Sequence, residues 1–178
     1  MSTLTVLYVH DTSSVVAALT QAAPPRGAQS AADLAGSGLR LRGFDGIDMT
    51  LAADRLALAV VDADPGVLTD PRAFYVEPTQ QNPDKLKLTP IQVPAGHLGL
   101  ALNAAGVTIS RPITGTAMQA LVILEKADSP KRDPVVVTGA FGASSAQITL
   151  PIALDSGNWN AGLFVSRLRP VATGAKVP

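Results

Sequence analysis

Leu39-Arg40-Leu41-Arg42-Gly43-Phe44-Asp45-Gly46-Ile47 is the stretch that decides the fold class. Leucines at 39 and 41 alternate with arginines at 40 and 42, the two-residue period that turns one face of a strand to a core and the other to water. Asp45-Gly46 follows, a dipeptide that tolerates the two positive φ values of a type I′ turn, and Ile47 resumes the apolar series. A β-hairpin across 39–51 is the expectation. The same period recurs in Lys85-Leu86-Lys87-Leu88 and in Gln147-Ile148-Thr149-Leu150, so half-buried antiparallel strands are predicted there too.

Outward from these anchors, 15 glycines and 14 prolines cut the chain into short pieces, the punctuation of an all-β protein. Because proline removes a ladder donor, each one helps to bound a strand. Strands are expected at Leu4 to Val9, Leu39 to Phe44, Ile47 to Leu51 with a continuation to Val61, Ala73 to Glu77, Leu86 to Val93, Leu98 to Leu100, Val107 to Ser110, Met118 to Glu125, Val135 to Ala140, Ala146 to Ala153 and Gly162 to Arg167. A single helix is expected from Asp11 to Ala23. Asp11, Thr12 or Ser13 can cap it, Val15, Val16 and Leu19 form a stripe, and Pro24-Pro25 stops it. Residues 24–38 read as a long surface loop. The expected fold is mainly β: one domain over 1–178, an antiparallel β-sandwich or barrel-like structure with one short N-terminal helix.

Two stretches share the pattern A-G-x-x-[IV]-S-R: Ala105-Gly106-Val107-Thr108-Ile109-Ser110-Arg111 and Ala161-Gly162-Leu163-Phe164-Val165-Ser166-Arg167. They read either as a pseudo-symmetric pair of strands or as a coincidence of a small-residue-rich composition.

Composition limits the function classes. The 14 Lys and Arg balance the 14 Asp and Glu, so no overall field attracts nucleic acid or an anionic membrane. The densest basic set, Lys126, Lys131 and Arg132, is interleaved with Asp128 and Asp133 and reads as a solvated mixed-charge turn. No cysteine is present, which rules out disulfides and thiolate metal sites. Charged residues are scarce at 16% against roughly 25% in an average soluble protein, and apolar residues reach 47% without any run of membrane length. The first residues, Met1-Ser2-Thr3-Leu4, show no secretory leader. The expected location is therefore the cytoplasm, or export without a cleavable signal as part of a particle.

Candidate sites are few, and no cofactor is expected. His10 and His97 lie 87 positions apart with no partner at a zinc spacing. Asp62, Asp64 and Asp70 form a weak calcium candidate, since hard cations want carboxylate oxygens; a D-x-D-P-G turn explains Asp62-Ala63-Asp64-Pro65-Gly66 without any ion. Ser144 or Ser145, His97 and Asp155 could be nominated as a triad, but no nucleophile elbow presents the serine. Thr138 to Ser145 is glycine-rich and lacks the G-K-[ST] ending of a phosphate loop. Trp159, in Ser156-Gly157-Asn158-Trp159-Asn160, is the candidate ligand or interface contact; otherwise it is a loop ring folded back over the core edge.

The leading functional expectation is a non-enzymatic structural or assembly subunit of a larger, phage-tail-like or other multi-subunit particle, working through protein partners or self-association. Its premise is that Leu98 to Leu102, Val135-Val136-Val137 and Leu56 to Val61 are apolar at both phases of the strand period, so both faces want cover. A small-ligand or carbohydrate-binding β module comes second and a hydrolytic enzyme third.

Overall fold

A computed structural model of the chain describes residues 3–20, 30–92, 97–112, 114–129 and 133–178. They form fourteen strands in antiparallel pairs and two short helices, and none of the sheets closes into a barrel. The strands are β1 (Thr3–Val9), β2 (Val15–Leu19), β3 (Gly38–Phe44), β4 (Ile47–Ala52), β5 (Leu56–Asp62), β6 (Phe74–Pro78), β7 (Leu86–Pro90), β8 (Gly99–Asn103), β9 (Gly106–Ser110), β10 (Met118–Lys126), β11 (Val135–Phe141), β12 (Gln147–Pro151), β13 (Gly157–Val165) and β14 (Val171–Val177). The helices are α1 (Ala31–Ala35) and α2 (Pro65–Thr69).

The deciding hairpin forms as read. Phe44 pairs with Ile47 across the turn, and Asp45 and Gly46 take φ values of 50° and 82°, the signs a type I′ turn requires. Leu39 and Leu41 point to the core, while Arg40 on the other face meets Asp48 at 3.3 Å. The other two alternating stretches behave alike. Leu86 and Leu88 pack inward from β7, and Ile148 and Leu150 do so from β12.

Two expectations are corrected. The helix expected over Asp11 to Ala23 is not formed in its described part, 11–20, the remainder lying outside the described residues: Val15–Leu19 is a strand that pairs with β1, Leu7 opposite Ala17 and Thr5 opposite Leu19. The β-branched pair Val15-Val16 can bury both its faces by pairing with β1, and this outweighs the helix preference of the alanines. The helix near the N-terminus lies later, at Ala31–Ala35, inside the expected loop; Ser30 caps it, its side chain bonding the Asp33 amide while Asp33 bonds back to the Ser30 amide. The Pro24-Pro25 stop, residues 24–29 of that loop, Val93, and Lys131 and Arg132 lie outside the described residues. Strands β13 and β14 extend beyond the sequence reading: β13 begins at Gly157, and β14 was not expected.

Three apolar clusters alternate with the sheets. The four-stranded sheet, in order β11-β10-β13-β14, shares its first cluster with the three-stranded sheet β12-β9-β8. Ala120, Val122 and Leu124 of β10 and Ala161, Leu163 and Val165 of β13 face Val107 and Ile109 of β9 there. On the opposite face Leu121, Ile123 and Phe164 meet the β3-β4 hairpin through Phe44, Met49 and Leu51, together with Leu7 and Val9 of β1. The sheet β2-β1-β5 turns its far face, including Leu4, Val6 and Val61, to α2 and the β6-β7 ribbon, closing a third cluster around Val67, Phe74 and Val76. Close approach matters at Gly162, where an added Cβ would collide with Met49, whose side chain occupies that place on β13.

Of the three doubly apolar stretches, Leu98 to Leu102 is covered on one face, Leu98, Leu100 and Leu102 packing on the first cluster while Ala101 is exposed; the other two find cover inside this stack. Val135 and Val137 pack on the first cluster and Val136 on the second; Leu56 and Leu58 face the second, and Ala59 and Val61 the third. Among the described residues, Val60 and Leu68 are the large apolar side chains left exposed. No helix among the described residues is long and apolar enough to cross a membrane.

The turn makes a direct prediction. A side chain at Gly46 would meet nothing within 4 Å, so a substitution there probes backbone conformation alone. Gly46→Val should lower the unfolding free energy by about 1–2 kcal/mol, read as a lower urea midpoint at unchanged slope.

Candidate functional site

The polar residues that the stack leaves over gather at one margin. In the β6-β7 ribbon Tyr75 stands opposite Thr89 and Glu77 opposite Lys87, while Phe74, Val76 and Leu88 of the same strands enter the third cluster. The alternation that buries one face thus lines up Tyr75, Glu77, Lys87 and Thr89 on the other. Glu77 Oε1 accepts from Lys87 Nζ at 3.0 Å and from Thr89 Oγ1 at 2.8 Å. Its second oxygen, Oε2, faces Arg167 NH2 at 3.9 Å, and the Arg167 guanidinium lies 6.0 Å from the Tyr75 ring centre.

A cleft of about 300 Å³ opens against this polar face. Its walls come from four separate segments: Thr12 and Ser13 of the β1-β2 turn, Tyr75 to Pro78 of β6, Thr116 to Gln119 at the start of β10, and Ser166-Arg167 after β13. A second hollow continues from it past Thr89, Pro90 and Gln92, sharing Tyr75, Met118 and Arg167.

Backbone geometry marks the same place. Among the described residues three non-glycine residues adopt positive φ: Ser13 at 61°, Asp45 at 50° and Arg167 at 63°. Asp45 belongs to the type I′ turn; Ser13 and Arg167 both line the cleft. Left-handed backbone costs a side-chain-bearing residue roughly 1–2 kcal/mol, so each conformation must be held by its surroundings. Around Ser13, the Val9 amide donates to the Ser14 carbonyl at 2.9 Å, the Ser13 amide to Val9 at 2.7 Å, and the Val76 amide to the Ser13 carbonyl at 2.9 Å. Around Arg167, the Ser166 amide donates to Gln119 and the Leu168 amide to Val165, both at 3.0 Å.

Of the repeated A-G-x-x-[IV]-S-R stretches, one ends in Arg167, which lines this cleft, and the other in Arg111, which bonds to its wall at Thr116. Arg111 follows β9 and is buried, its ring of donors filled by carbonyls: Nε to Ser145, NH1 to Thr116, and NH2 to Gly142, at 2.7–2.8 Å. It also lies over the Phe141 ring, 4.8 Å from its centre. By holding the Thr116 carbonyl, Arg111 fixes one wall of the cleft. Arg167 lines the cleft itself, beside Gln119 of β10, whose carbonyl accepts from the Ser166 amide.

Charge placement affects the two acids of the ribbon. Burial pushes the Tyr75 phenol above its ordinary value and the nearby Glu77 carboxylate adds to the rise, so the hydroxyl stays protonated across the physiological range. For Glu77, burial alone would raise its value; the hydrogen bonds from Lys87 and Thr89 and the charges of Lys87 and Arg167 outweigh it and hold the carboxyl below the usual range.

The residues singled out from sequence lie elsewhere. Asp64 caps α2 by accepting from the Gly66 amide at 2.8 Å; Asp70 binds Arg169 at 2.7 Å, and Asp62 faces Lys85 at 3.8 Å. Each carboxylate has its own partner, and no group of three or more such ligands is set to hold an ion among the described residues. Trp159 sits within β13 in the first cluster, 3% exposed, with Nε1 donating to the Asp155 carbonyl at 2.9 Å and Lys126 over its ring. It is a core ring. His10 and His97 are both exposed, and Ser145 is engaged through its carbonyl by Arg111. The cleft residues escaped sequence reading because they come from four distant segments with no spacing of their own. The available signals were the cross-strand set Tyr75, Glu77, Lys87 and Thr89, and the arginine closing each repeat.

No family model matches the sequence, and no curated protein matches it.

The lowered Glu77 carboxyl gives a pH prediction. A group whose folded value is depressed contributes stability above its unfolded value and loses it as pH falls through the folded one. The melting temperature should therefore fall between about pH 5 and pH 3, and Glu77→Gln should flatten part of that slope in a pH series of thermal melts.

Proposed function

We propose that the protein is a non-catalytic binding module whose ligand seat is the cleft between the β6-β7 ribbon, the start of β10 and the turn after β13. One observation carries the reading: two of the three left-handed non-glycine residues among those described, Ser13 in the β1-β2 turn and Arg167 in the β13-β14 turn, line the same cleft. Strained backbone that persists in two separate segments facing one space is a recurrent mark of binding sites. In this reading the face-to-face four- and three-stranded sheets are a rigid β-sandwich frame, and the cleft at its margin is the working surface. The lining supports binding over catalysis: Glu77 is already bonded to Lys87 and Thr89, and both histidines lie outside the lining.

A second reading, an assembly subunit within a larger particle, draws on Val60 of the edge strand β5 and Leu68 of α2, each 46% exposed. Light scattering on the eluting protein separates the two: the binding-module reading expects a monomer of 18.3 kDa.

Titration of a library of small polar fragments into isotope-labelled protein should shift amide signals at residues 12–13, 75–78, 116–119 and 166–167 in a saturable manner. Ala117→Trp, a replacement at an exposed wall position, should keep the fold and abolish those shifts. Fragments that perturb only other surfaces would count against the cleft.

A further inference from the structure

We infer that the cleft selects a ligand bearing a single carboxylate on an apolar body, with the anion seated on the Arg167 guanidinium beside the Tyr75 ring. This rests on the reading of the cleft as a ligand seat. The two arginines that end the repeated stretches carry the argument. Arg111, just after β9, is enclosed by Thr116 and the loop 142–146 and gives its donors to the carbonyls of Thr116, Gly142, Ala143 and Ser145. Arg167 closes the matching stretch after β13, where no such loop wraps it: its side chain is 56% exposed, and Glu77 Oε2, its ion-pair partner, stands at 3.9 Å, beyond hydrogen-bond length. Arg167 lines the cleft from a left-handed φ of 63°, a conformation that glycine would occupy without strain. An arginine kept there retains its planar fork, the group that matches a carboxylate through two parallel hydrogen bonds.

Charge count sets the valence. Glu77 and Lys87 form a 3.0 Å pair that cancels, so Arg167 leaves the cluster with one net positive charge. A monoanion neutralises it. A dianionic phosphate would bring excess negative charge against Glu77, whose Oε2 flanks the same guanidinium. The apolar part of the ligand is accommodated by the Tyr75 ring, Met118 and Pro90, which line the hollow continuing from the cleft. Tyr75 adds a protonated hydroxyl at the rim.

The experiment uses the full chain, isotope-labelled, titrated separately with benzoate, benzamide and inorganic phosphate and read by amide chemical shifts. Benzoate should bind saturably at residues 75–78, 117–119 and 166–167, and benzamide, its neutral counterpart, about tenfold or more weakly. Arg167→Gln should weaken benzoate by a similar factor. Arg167→Gly, which removes the guanidinium while relieving the left-handed backbone, should do the same with a melting temperature equal to or above that of the unaltered chain. Benzamide binding as tightly as benzoate, or benzoate binding that survives both substitutions, overturns the carboxylate inference while leaving the cleft a ligand seat. Phosphate binding more tightly than benzoate overturns it as well. If none of the three probes shifts the cleft amides, the inference and the ligand-seat reading both fall.

Discussion

The structure depends on strands β10 and β13 being buried on both faces. Ala120, Val122 and Leu124 look to one apolar cluster and Leu121 and Ile123 to another, all five at 0–1% exposure, and Leu163 and Phe164 divide in the same way on β13. Each fully buried aliphatic side chain contributes about 1.5–3 kcal/mol relative to exposure, and removing cover from either face would forfeit several at once. The neighbours on each side must therefore be apolar sheets themselves. On one side the strands β8, β9 and β12 meet this demand; on the other the β3-β4 hairpin does, its Met49 side chain seated over Gly162. The type I′ turn at Asp45-Gly46 is what brings Phe44 and Met49 of that hairpin to the same layer.

Stacking of this kind exhausts apolar faces and leaves polar ones at the end of the stack. The β6-β7 ribbon covers the last cluster with Phe74, Val76 and Leu88, and its opposite face carries Tyr75, Glu77, Lys87 and Thr89. The start of β10 and the turn after β13 pass beside that face because the same two strands form the centre of the four-stranded sheet. Core and cleft are thus linked: Arg111 ties the Thr116 carbonyl to the end of β9, and the turn carrying Arg167 is fixed by the amide of Ser166 on Gln119 of β10. Two arginines in similar local sequence diverge in role because one is enclosed by carbonyls and the other faces open space.

Most strands were legible because a two-residue period is a local property. Leu39, Leu41, Leu86, Leu88, Ile148 and Leu150 all point where their alternation with polar neighbours says they should. The N-terminal helix failed because helix preference and cap residues are local, whereas the pairing of Val15–Leu19 with β1 is a tertiary gain that propensity does not see. Strand β14 was hidden by its composition: Val171-Ala172-Thr173-Gly174-Ala175-Lys176-Val177 has few large apolar residues, since it is an edge strand needing only Val177 fully buried. Trp159 was placed in a loop because the glycine and asparagines around it suggest a turn, yet they lie in the first half of β13. The cleft was the least legible part. Its walls join residues 12, 75, 117 and 167, and only the fold brings them together.

Scarce charge and doubly apolar strands would point to an external partner if the chain made a two-layer protein, in which each sheet has one face in water. Here the count of layers changes the conclusion. With three apolar clusters between successive sheets, the four-stranded sheet and the sheet β2-β1-β5 are covered on both faces from within. Val135 to Val137 and Leu56 to Val61 are packed within the chain in this way, save at Val60, which is exposed. Low polarity in this chain is thus the consequence of depth of stacking. The features that stand outside that explanation are polar ones, the left-handed residues Ser13 and Arg167, which line the same cleft. Burial of apolar surface dictates neither of those two backbone conformations, which the turn hydrogen bonds around them hold instead.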